Sequence, residues 1–354
     1  MKTFVRATMA LTAAIALCQG SLALAEDYYW VSGGDQTATA VAEQKAPAAN
    51  PTTAGVCNDQ SCCDPFSNDC ERRGGVIGQF GFDSFKGISD APGASNFGAV
   101  TGFNLGWLLP GEAGDRGLGF QLGMTYGLYD WDGRTAPLGS TVNEAKSQQQ
   151  TFLTIGFFRK SDEDHPLSFG LVYDYMFNEG WGEYATSPTL GQWRGQIEWA
   201  FNENNGLGAW GCLRDRDAYS TIDYSSVTRN RSVSQASFFW HHKFDYPAQS
   251  WLWVGAPQTD RLNGEGSLYG WTIGGALQAP ITDRLAWYGN FEYARPTASA
   301  GSVASSESAW NVGTGILWYF GGGAHTHQLN GERWTPYMPV ANNSTFLVDQ
   351  QTGI

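Results

Sequence analysis

The chain has 354 residues, 14% of them aromatic, and carries 34 acidic against 21 basic residues, which gives a formal net charge of −13. This length allows one large domain or two ordinary ones. The acidic excess argues against nucleic acid as a partner, because a phosphate backbone is bound chiefly by Lys and Arg.

The first 25 residues have the layout of a secretory signal. A basic start at Lys2 and Arg6 precedes an apolar run, and the small-residue tripeptide ALA ending at Ala25 offers a cleavage site. We therefore expect a signal peptide over residues 1–25. Its removal loses two basic residues, which changes the formal net charge from −13 to −15. A lipoprotein signal ending at Cys18 is the alternative, although the preceding leucine stands where such signals prefer a small residue.

Residues 26–75 form a leader of different composition. They are rich in Ala, Thr and Pro, which is typical of a flexible, disordered segment. The leader ends in a cluster of four cysteines: Cys57, Cys62, Cys63 and Cys70. Export implies an oxidising compartment, so we predict disulfides within this cluster, in any of three pairings, with Cys212 left as a free thiol. Zinc binding is the weaker alternative because paired C-x-x-C units are missing.

From Val76 to Phe320 the chain alternates apolar residues with small or polar ones. In LGFQLGMTYGLY (residues 118–129), one face carries Leu, Phe, Met and Tyr, and the other carries mainly Gly, Gln and Thr. A period of two residues predicts β-strands. The predicted strands are 76–83, 102–109, 118–129, 150–157, 167–178, 192–201, 207–213, 235–244, 251–256, 269–277, 285–293 and 310–320. The segments 207–213 and 251–256 are the least regular, and the second is apolar on both faces.

The connections between these strands alternate in length along the chain. The longer ones are 86–96, 130–147, 178–189, 214–231, 257–266 and 296–306. The shorter ones are 110–117, 161–166, 202–206, 245–249 and 280–284. Outer-membrane barrels have short periplasmic turns and longer external loops. An even number of strands then leaves both ends of the barrel on the short-turn side.

The composition of the two strand faces favours a membrane barrel over a soluble protein. The chain holds 15 Trp, 15 Tyr and 20 Phe, and the opposite face is rich in Gly but poor in the Lys and Glu expected on solvent-exposed strands. In lipid the aromatic face points outward and the polar face lines the interior. We therefore predict an all-β, antiparallel up-and-down transmembrane β-barrel of about twelve strands, with a disordered N-terminal leader and C-terminal tail. A soluble β-sandwich and a ten-stranded barrel are the alternatives.

Between Val76 and Phe320 the chain resembles bacterial outer-membrane β-barrel proteins. The final strand, WNVGTGILWYF, is similar to the aromatic-ended signal that barrel-assembly machinery reads, and APITDRLAWYG looks like a periplasmic turn of that class. The resemblance implies the outer membrane of a diderm, Gram-negative bacterium, with outer-membrane lipid and the assembly machinery as partners. The chain departs from the common pattern in residues 321–354, which we expect to form a periplasmic tail. The leader and this tail together indicate an uncharacterised porin-like family.

Polar side chains on the predicted inward faces are the candidate functional residues. Twelve strands lie between a filled eight-stranded barrel and a water-filled sixteen-stranded porin, so a narrow polar passage is expected. The candidate pore-lining residues are Gln121, Asp174, Arg194, Gln196, Glu198, His241 and Glu292. Rings of charge set ion preference at a constriction. Inward Arg and Glu, such as Arg194 and Glu198, also pair to brace a barrel wall, and both interpretations stay open.

The sequence favours a porin-like channel for the passive passage of small polar solutes. The alternative is a non-conducting surface or envelope-structural barrel. An outer-membrane phospholipase would need a Ser activated by a nearby His, and the pair His241–His242 has no Ser at the next inward position. The AHTH sequence of the tail offers two imidazoles without a third ligand, so no metal, cofactor or catalytic site is predicted. The solute and the oligomeric state are left open.

Overall fold

The structure, a computed structural model, describes residues 74–87, 89–90, 94–131, 147–162, 164–221, 227–258, 269–296, 308–320, 323–324 and 333–352. All of these residues belong to one compact unit, Asp59–Ile354. The predicted signal, the four leader cysteines and the two histidines of AHTH lie outside the described residues. In the described part of the chain, no helix has the length and apolar character needed to cross a membrane.

The fold is built almost wholly of antiparallel strands. In chain order they are β1 (Gly74–Lys86), β2 (Asn96–Leu108), β3 (Leu118–Tyr129), β4 (Gln148–Arg159), β5 (Leu167–Glu179), β6 (Thr189–Asn202), β7 (Asn205–Arg214), β8 (Asp217–Thr221), β9 (Val227–Ser232), β10 (Gln235–Lys243), β11 (Gln249–Pro257), β12 (Tyr269–Pro280), β13 (Leu285–Pro296), β14 (Ala309–Phe320) and β15 (Val348–Thr352). One helical turn, α1 (Glu112–Asp115), lies between β2 and β3.

Twelve of these strands close into a barrel, in the order β1-β14-β13-β12-β11-β10-β7-β6-β5-β4-β3-β2. The barrel closes where β1 pairs with β14, with Val76 opposite Phe320 and Lys86 opposite Trp310. Each of the twelve predicted strands overlaps one barrel strand, including the two least regular ones, which are β7 and β11. The predicted twelve-stranded barrel is therefore confirmed, and the ten-stranded alternative is excluded.

Strand β2 begins earlier than the sequence pattern predicts. Its first residues, Asn96 to Thr101, extend the pairing with β1. In this stretch Val100 is buried inside and packs in a cluster with Phe85 and Tyr129, whereas Thr101 is exposed. The apolar residue faces inward here, the reverse of the barrel's usual pattern, so the sequence does not reveal the longer strand.

The connections alternate in length as predicted, except that the first turn-side connection, 109–117, is as long as the two shortest loop-side ones. One end of the barrel, here called the turn side, carries the connections 109–117, 160–166, 203–204, 244–248 and 281–284. The opposite end, the loop side, carries 87–95, 130–147, 180–188, 215–234, 258–268 and 297–308. Strand β1 begins and β14 ends on the turn side. Strands β8 and β9 form a hairpin inside the long connection between β7 and β10.

The outer surface of the barrel is apolar and exposed. Large side chains such as Phe80, Trp107, Phe157, Trp199 and Phe238 face away from the lumen, and Phe238 is 75% exposed. A continuous apolar belt of this kind is unstable in water but matches lipid. The structure thus confirms a transmembrane barrel and excludes the soluble sandwich.

The lumen is occupied by the C-terminal segment, residues 333–352, here called the plug. The backbone carbonyl of Trp334 lies against Gly106, near the turn-side end of β2. At the other end of the plug, β15 pairs with β9, with Val348 opposite Ser232, and completes a three-stranded sheet on the loop side. The plug therefore crosses the lumen from the turn side to the loop side.

Inward-facing apolar side chains of the wall form a core with the plug. Phe158 and Val172 are fully buried with Tyr337 and Met338. A second cluster covers the other half of the plug and joins Phe152, Met176 and Leu190 of the wall, and Trp181 of the connection 180–188, with Val340, Ala341, Phe346 and Val348. These contacts correct the expectation that the tail is disordered and periplasmic, at least for residues 333–352. The physical reason is burial, because each of these apolar side chains gains about 1.5–3 kcal/mol by leaving water.

Candidate functional site

All seven candidate pore-lining residues lie on the inner face of the barrel. Gln121, Asp174, Arg194, Glu198, His241 and Glu292 are each at most 3% exposed. The seventh, Gln196, bonds to a plug side chain. All of them except Glu292 bond to the plug or to another of the seven, and the carboxyl of Glu292 is buried beside Trp253 of β11.

Arg194 and Asp174 form a buried, two-pronged ion pair. The Arg194 Nε and Nη2 atoms donate to the two Asp174 carboxylate oxygens at 2.7 and 3.1 Å. Arg194 Nη2 also donates to the Pro339 carbonyl at 2.8 Å. On the other side, Thr154 donates to Asp174 at 2.7 Å and accepts from the Ala341 amide at 2.9 Å. The pair therefore braces the wall and holds the plug backbone at two points.

A second network joins β6 and β10 to the plug. His241 Nδ1 lies 2.6 Å from Glu198 Oε1, and the Tyr337 hydroxyl donates to Glu198 Oε2 at 3.1 Å. Gln196 Nε2 donates to the same hydroxyl at 3.0 Å. Arg194 and Glu198, which the sequence offers as a bracing pair, thus each bond to a different partner across the strands.

Gln121 binds the plug in the manner of a neighbouring strand. Its amide oxygen accepts from the Met338 backbone N–H at 3.1 Å, and its amide nitrogen donates to the Met338 carbonyl at 2.9 Å. Asn104 donates to the same carbonyl at 3.0 Å. These bonds satisfy backbone groups of the plug that have no sheet partner at this depth, which is what burial requires of them.

A third anchor centres on Asp83, which sequence reasoning did not single out. Its carboxylate is buried and accepts from the Asn343 side chain of the plug and from the Tyr129 hydroxyl, each at 3.1 Å. Asn311 also donates to it, and Asn343 donates further to Gln150 at 3.0 Å. Asp83 thereby ties three barrel strands and the plug together.

Glycines on the inner face provide room for the plug. An added Cβ at Gly106 would lie 2.3 Å from the Trp334 carbonyl oxygen. At Gly123 it would lie 2.4 Å from Val340 Cγ2, and at Gly170 2.6 Å from Met338 Sδ. At Gly106 the plug backbone itself is in the way, so this position excludes a side chain, whereas at Gly123 and Gly170 the plug side chain would have to shift.

At the turn side, the plug enters beside a set of charged groups. Arg333 Nη2 lies 3.3 Å from Asp162 Oδ2 and donates to the Asp115 carbonyl at 2.9 Å. Burial raises the pKa of Asp162, but hydrogen bonds from His165 and the positive charge of Arg333 outweigh it and lower that pKa below its ordinary value. Lys160 then bonds to the Thr335 hydroxyl in a buried position.

At the loop side, the plug ends in the sheet formed by β8, β9 and β15. Arg231 of β9 and Asp349 of β15 form an ion pair at 3.1 Å, with side chains only 8% and 5% exposed. Leu347 packs with Val233, Ala294 and Ala309 just below this sheet. The end of the plug is therefore held by strand pairing, a buried ion pair and apolar contact together.

The described histidines show no arrangement for nucleophilic catalysis. His241 contacts Glu198, His242 lies 2.8 Å from Asn205, and His165 lies 3.0 Å from Asp162. A catalytic serine bonded to an imidazole, which hydroxyl activation requires, is not among these contacts. Within the described ranges no group of three or more His, Cys, Asp or Glu could hold a metal ion.

Cys212 is a buried free cysteine on β7. Its sulfur lies 3.6 Å from the Val233 carbonyl and 4.0 Å from the Thr345 carbonyl of the plug. The disulfides predicted for the leader involve residues outside the described part of the chain and remain a prediction.

Replacing one member of the buried ion pair is expected to destabilise the protein strongly. Arg194→Met leaves Asp174 charged and without its partner in the lumen, at a cost of about 3–5 kcal/mol in the free energy of unfolding. The measurement is urea unfolding of the refolded protein in lipid vesicles. Replacing both partners, as Arg194→Met with Asp174→Leu, should cost less than the two single changes added together.

The matched control is Arg159→Met, which removes a partly exposed contact with Asp162 at 3.9 Å and an exposed hydrogen bond to the Arg116 carbonyl at 3.0 Å. Exposed pairs contribute about 0–1 kcal/mol, so this change should be nearly silent. Equal losses for Arg194→Met and Arg159→Met would contradict the assigned role of the buried pair.

A side chain placed where the plug approaches the wall should expel the plug locally. Gly106→Val would meet the Trp334 carbonyl, whereas Gly195→Val faces outward, where a Cβ meets its first neighbour only at 3.8 Å. We expect trypsin to cleave after Arg333 several times faster in Gly106→Val and at the unaltered rate in Gly195→Val. Unchanged cleavage in a folded Gly106→Val protein would mean that the plug does not lie against β2.

Comparison with known proteins identifies one matching family and several solved structures of low sequence identity. The model of a family of unknown function, DUF6666, matches residues 75–348, which include the barrel and most of the plug. No curated protein matches the sequence. An outer membrane channel from Pseudomonas putida F1 is 10% identical over 70% of this chain and 96% of that chain, with a TM-score of 0.44.

Two further solved structures are similarly distant. The toluene transporter TodX of Pseudomonas putida is 10% identical over 72% of this chain and 90% of that chain, with a TM-score of 0.39. Outer membrane phospholipase A from Escherichia coli is 10% identical over 68% of this chain and 95% of that chain, with a TM-score of 0.38. At these values the likenesses carry no conclusion about substrate or activity.

Proposed function

We propose, from the premise that this chain belongs to the DUF6666 family, that it is an outer-membrane β-barrel closed by its own C-terminal segment. The observation that carries the proposal is the course of residues 333–352, which run through the lumen from the turn side to the loop side. In this state the protein is a non-conducting envelope barrel, the second of the two functions that the sequence allows.

The charged groups of the lumen support a closed barrel. An ion-selective constriction needs charges that face water and passing ions. Asp174, Arg194, Glu198 and His241 instead are at most 2% exposed and form hydrogen bonds within the wall or to the plug. Of the two interpretations of these residues, bracing is the better supported.

The sheet at the loop side supports a role at the cell surface. Because longer loops of outer-membrane barrels lie outside the cell, the sheet of β8, β9 and β15 would face the exterior. The outward aromatic side chains would contact outer-membrane lipid, and the strand ending at Phe320 would be the part that barrel-assembly machinery reads. The barrel then serves as a membrane anchor that holds this small sheet in place.

Recording from planar lipid bilayers tests the closed state. Purified full-length protein, shown to be folded by heat-modifiable gel migration, is expected to produce no discrete current steps at moderate voltage. An unrelated open porin, inserted in the same bilayer afterwards, confirms that the recording would detect them. Steady, uniform steps from the unaltered protein would overturn the proposal.

A porin-like channel for small polar solutes is the second candidate, and one observation favours it. The plug contacts β2 through β6, and a cavity of about 230 Å³ remains between it and a wall that includes β7, β10 to β14 and β1. The described contacts of the plug are all noncovalent, so a stimulus that releases it would widen this space into a passage. Reversible opening of the full-length protein, rather than permanent silence, would identify this function.

A further inference from the structure

The lumen cavity beside the plug has an unusual lining for a barrel interior. Its wall side includes Phe239 and three tryptophans, Trp210, Trp251 and Trp253. Tyr337 and residues 339–342 of the plug form the facing side. Polar groups also line it, among them Gln79, Gln196, Gln278 and Asn290. We propose that this cavity binds a small neutral aromatic molecule of one or two rings.

The aromatic rings are held in fixed positions. Trp210 and Trp253 meet edge to face, with ring centroids 6.2 Å apart and planes at 83°. Trp251 stacks on His241 at 4.4 Å, and His241 is in turn fixed by Glu198. Rings locked in this way offer a ligand both faces and edges without first losing side-chain freedom, which favours binding.

This lining also explains the strand that is apolar on both faces. In β11 the outward residues Leu252 and Val254 are 51% and 57% exposed to the membrane side. The inward residues Trp251 and Trp253 line the cavity instead of the polar side chains usual for that face. Residues 251–256 are therefore apolar on both faces because one face contacts the membrane side and the other lines the cavity. This double apolar pattern is the feature of the sequence that indicates the cavity.

The size and charge of the cavity select the class of ligand. An apolar cavity of about 150 Å³ is known to hold benzene, so about 230 Å³ accommodates one or two fused rings. Among the described residues that line it, Arg194 alone is charged, and its charge is neutralised by Asp174. The buried carboxyl of Glu292 lies beside Trp253 but is not part of the lining. A charged ligand would find no free countercharge in the lining itself, whereas a neutral ring would replace water against apolar walls.

Fluorine NMR of 5-fluoroindole with full-length protein in lipid nanodiscs tests this proposal. Ring currents of the surrounding tryptophans should shift the bound fluorine signal, and binding should saturate at one molecule per barrel. Because fluoroindole also enters lipid, protein-free nanodiscs give the background. This binding does not depend on whether the barrel conducts.

Two variants separate the cavity from the outer surface. Ala276→Phe fills the cavity from β12 and should weaken binding at least tenfold, while Trp199→Leu alters an exposed outward side chain and should change nothing. If Ala276→Phe does not fold, Trp210→Leu, which removes one ring of the lining, should weaken binding severalfold. Absence of saturable binding, or equal binding by a folded Ala276→Phe protein, would overturn the proposal. Saturable binding of glucose, a polar molecule without an aromatic ring, in place of fluoroindole would also overturn the proposal.

Discussion

Deletion of residues 333–354 is expected to convert a silent barrel into one that conducts ions steadily. The deletion removes the whole plug but leaves all twelve barrel strands, including the β1–β14 closure that ends at Phe320. The inner face would then carry polar groups such as Gln121, Thr154 and Gln192 together with its glycines, and water would enter. Planar-bilayer recording should show discrete steps for the deleted protein and none for the full-length protein.

The same deletion should lower stability as well. Phe158, Val172 and Met176 lose their cover when the plug is absent. Each side chain that becomes wetted costs about 1.5–3 kcal/mol, so the deleted barrel should unfold at clearly lower urea concentration. Heat-modifiable gel migration must show that the deleted protein still folds. A folded but silent deletion variant would mean that other residues close the lumen.

The architecture of the barrel could be predicted because each strand has a local sequence pattern that identifies it. Alternation over about ten residues identifies each strand, and loop lengths assign the two ends. Strands β7 and β11 alternate only weakly, and a barrel without both would have ten strands, which is also an even number, so the sequence leaves the ten-stranded alternative open. Strand ends are less accurate, as in β2, because pairing there continues with inward Val100 and outward Thr101.

The plug could not be predicted in this way because its contacts are long-range. Asn343 bonds to Asp83, 260 positions away, and residues 333–347 follow no helical or strand period. Two signs were nevertheless present in the sequence. The tail contains Trp334, Tyr337, Met338, Phe346 and Leu347, which a solvated tail does not need. The predicted polar face also includes the large apolar residues Phe152 and Met176, which would be unfavourable in a water-filled lumen unless another segment packed on them.

The sequence pattern places the inner polar residues on the correct face but does not identify their hydrogen-bond partners. Alternation alone places Arg194, Glu198 and Asp174 inside. Their pairing depends on the register between strands, in which Val172 lies opposite Arg194, so that Asp174 is its diagonal neighbour. Since register is a property of two strands, a single-strand pattern cannot supply it.

The C-terminal end of the plug is expected to be accessible from outside the cell, although β14 ends on the opposite side of the membrane. This follows from the pairing of β15 with β9, which lies in a long loop-side connection. Gln351→Cys places a thiol on this strand, at a side chain that is partly exposed. In intact cells it should react with a membrane-impermeant maleimide to nearly the extent of Tyr219→Cys on β8, whose native side chain is 63% exposed.

The turn-side control for this labelling is Glu203→Cys, in the exposed two-residue turn between β6 and β7. Its thiol should react only after the outer membrane is permeabilised, because short turns face the periplasm. Labelling of the unaltered protein gives the background signal. Cys212 is buried and should add little to it, and any reduced leader cysteine that reacts is included in it. If Gln351→Cys behaves like Glu203→Cys, the segment does not cross the lumen in cells. If all three variants react in intact cells, the reagent has crossed the membrane, and the assay must be repeated with a larger maleimide before the topology is assigned.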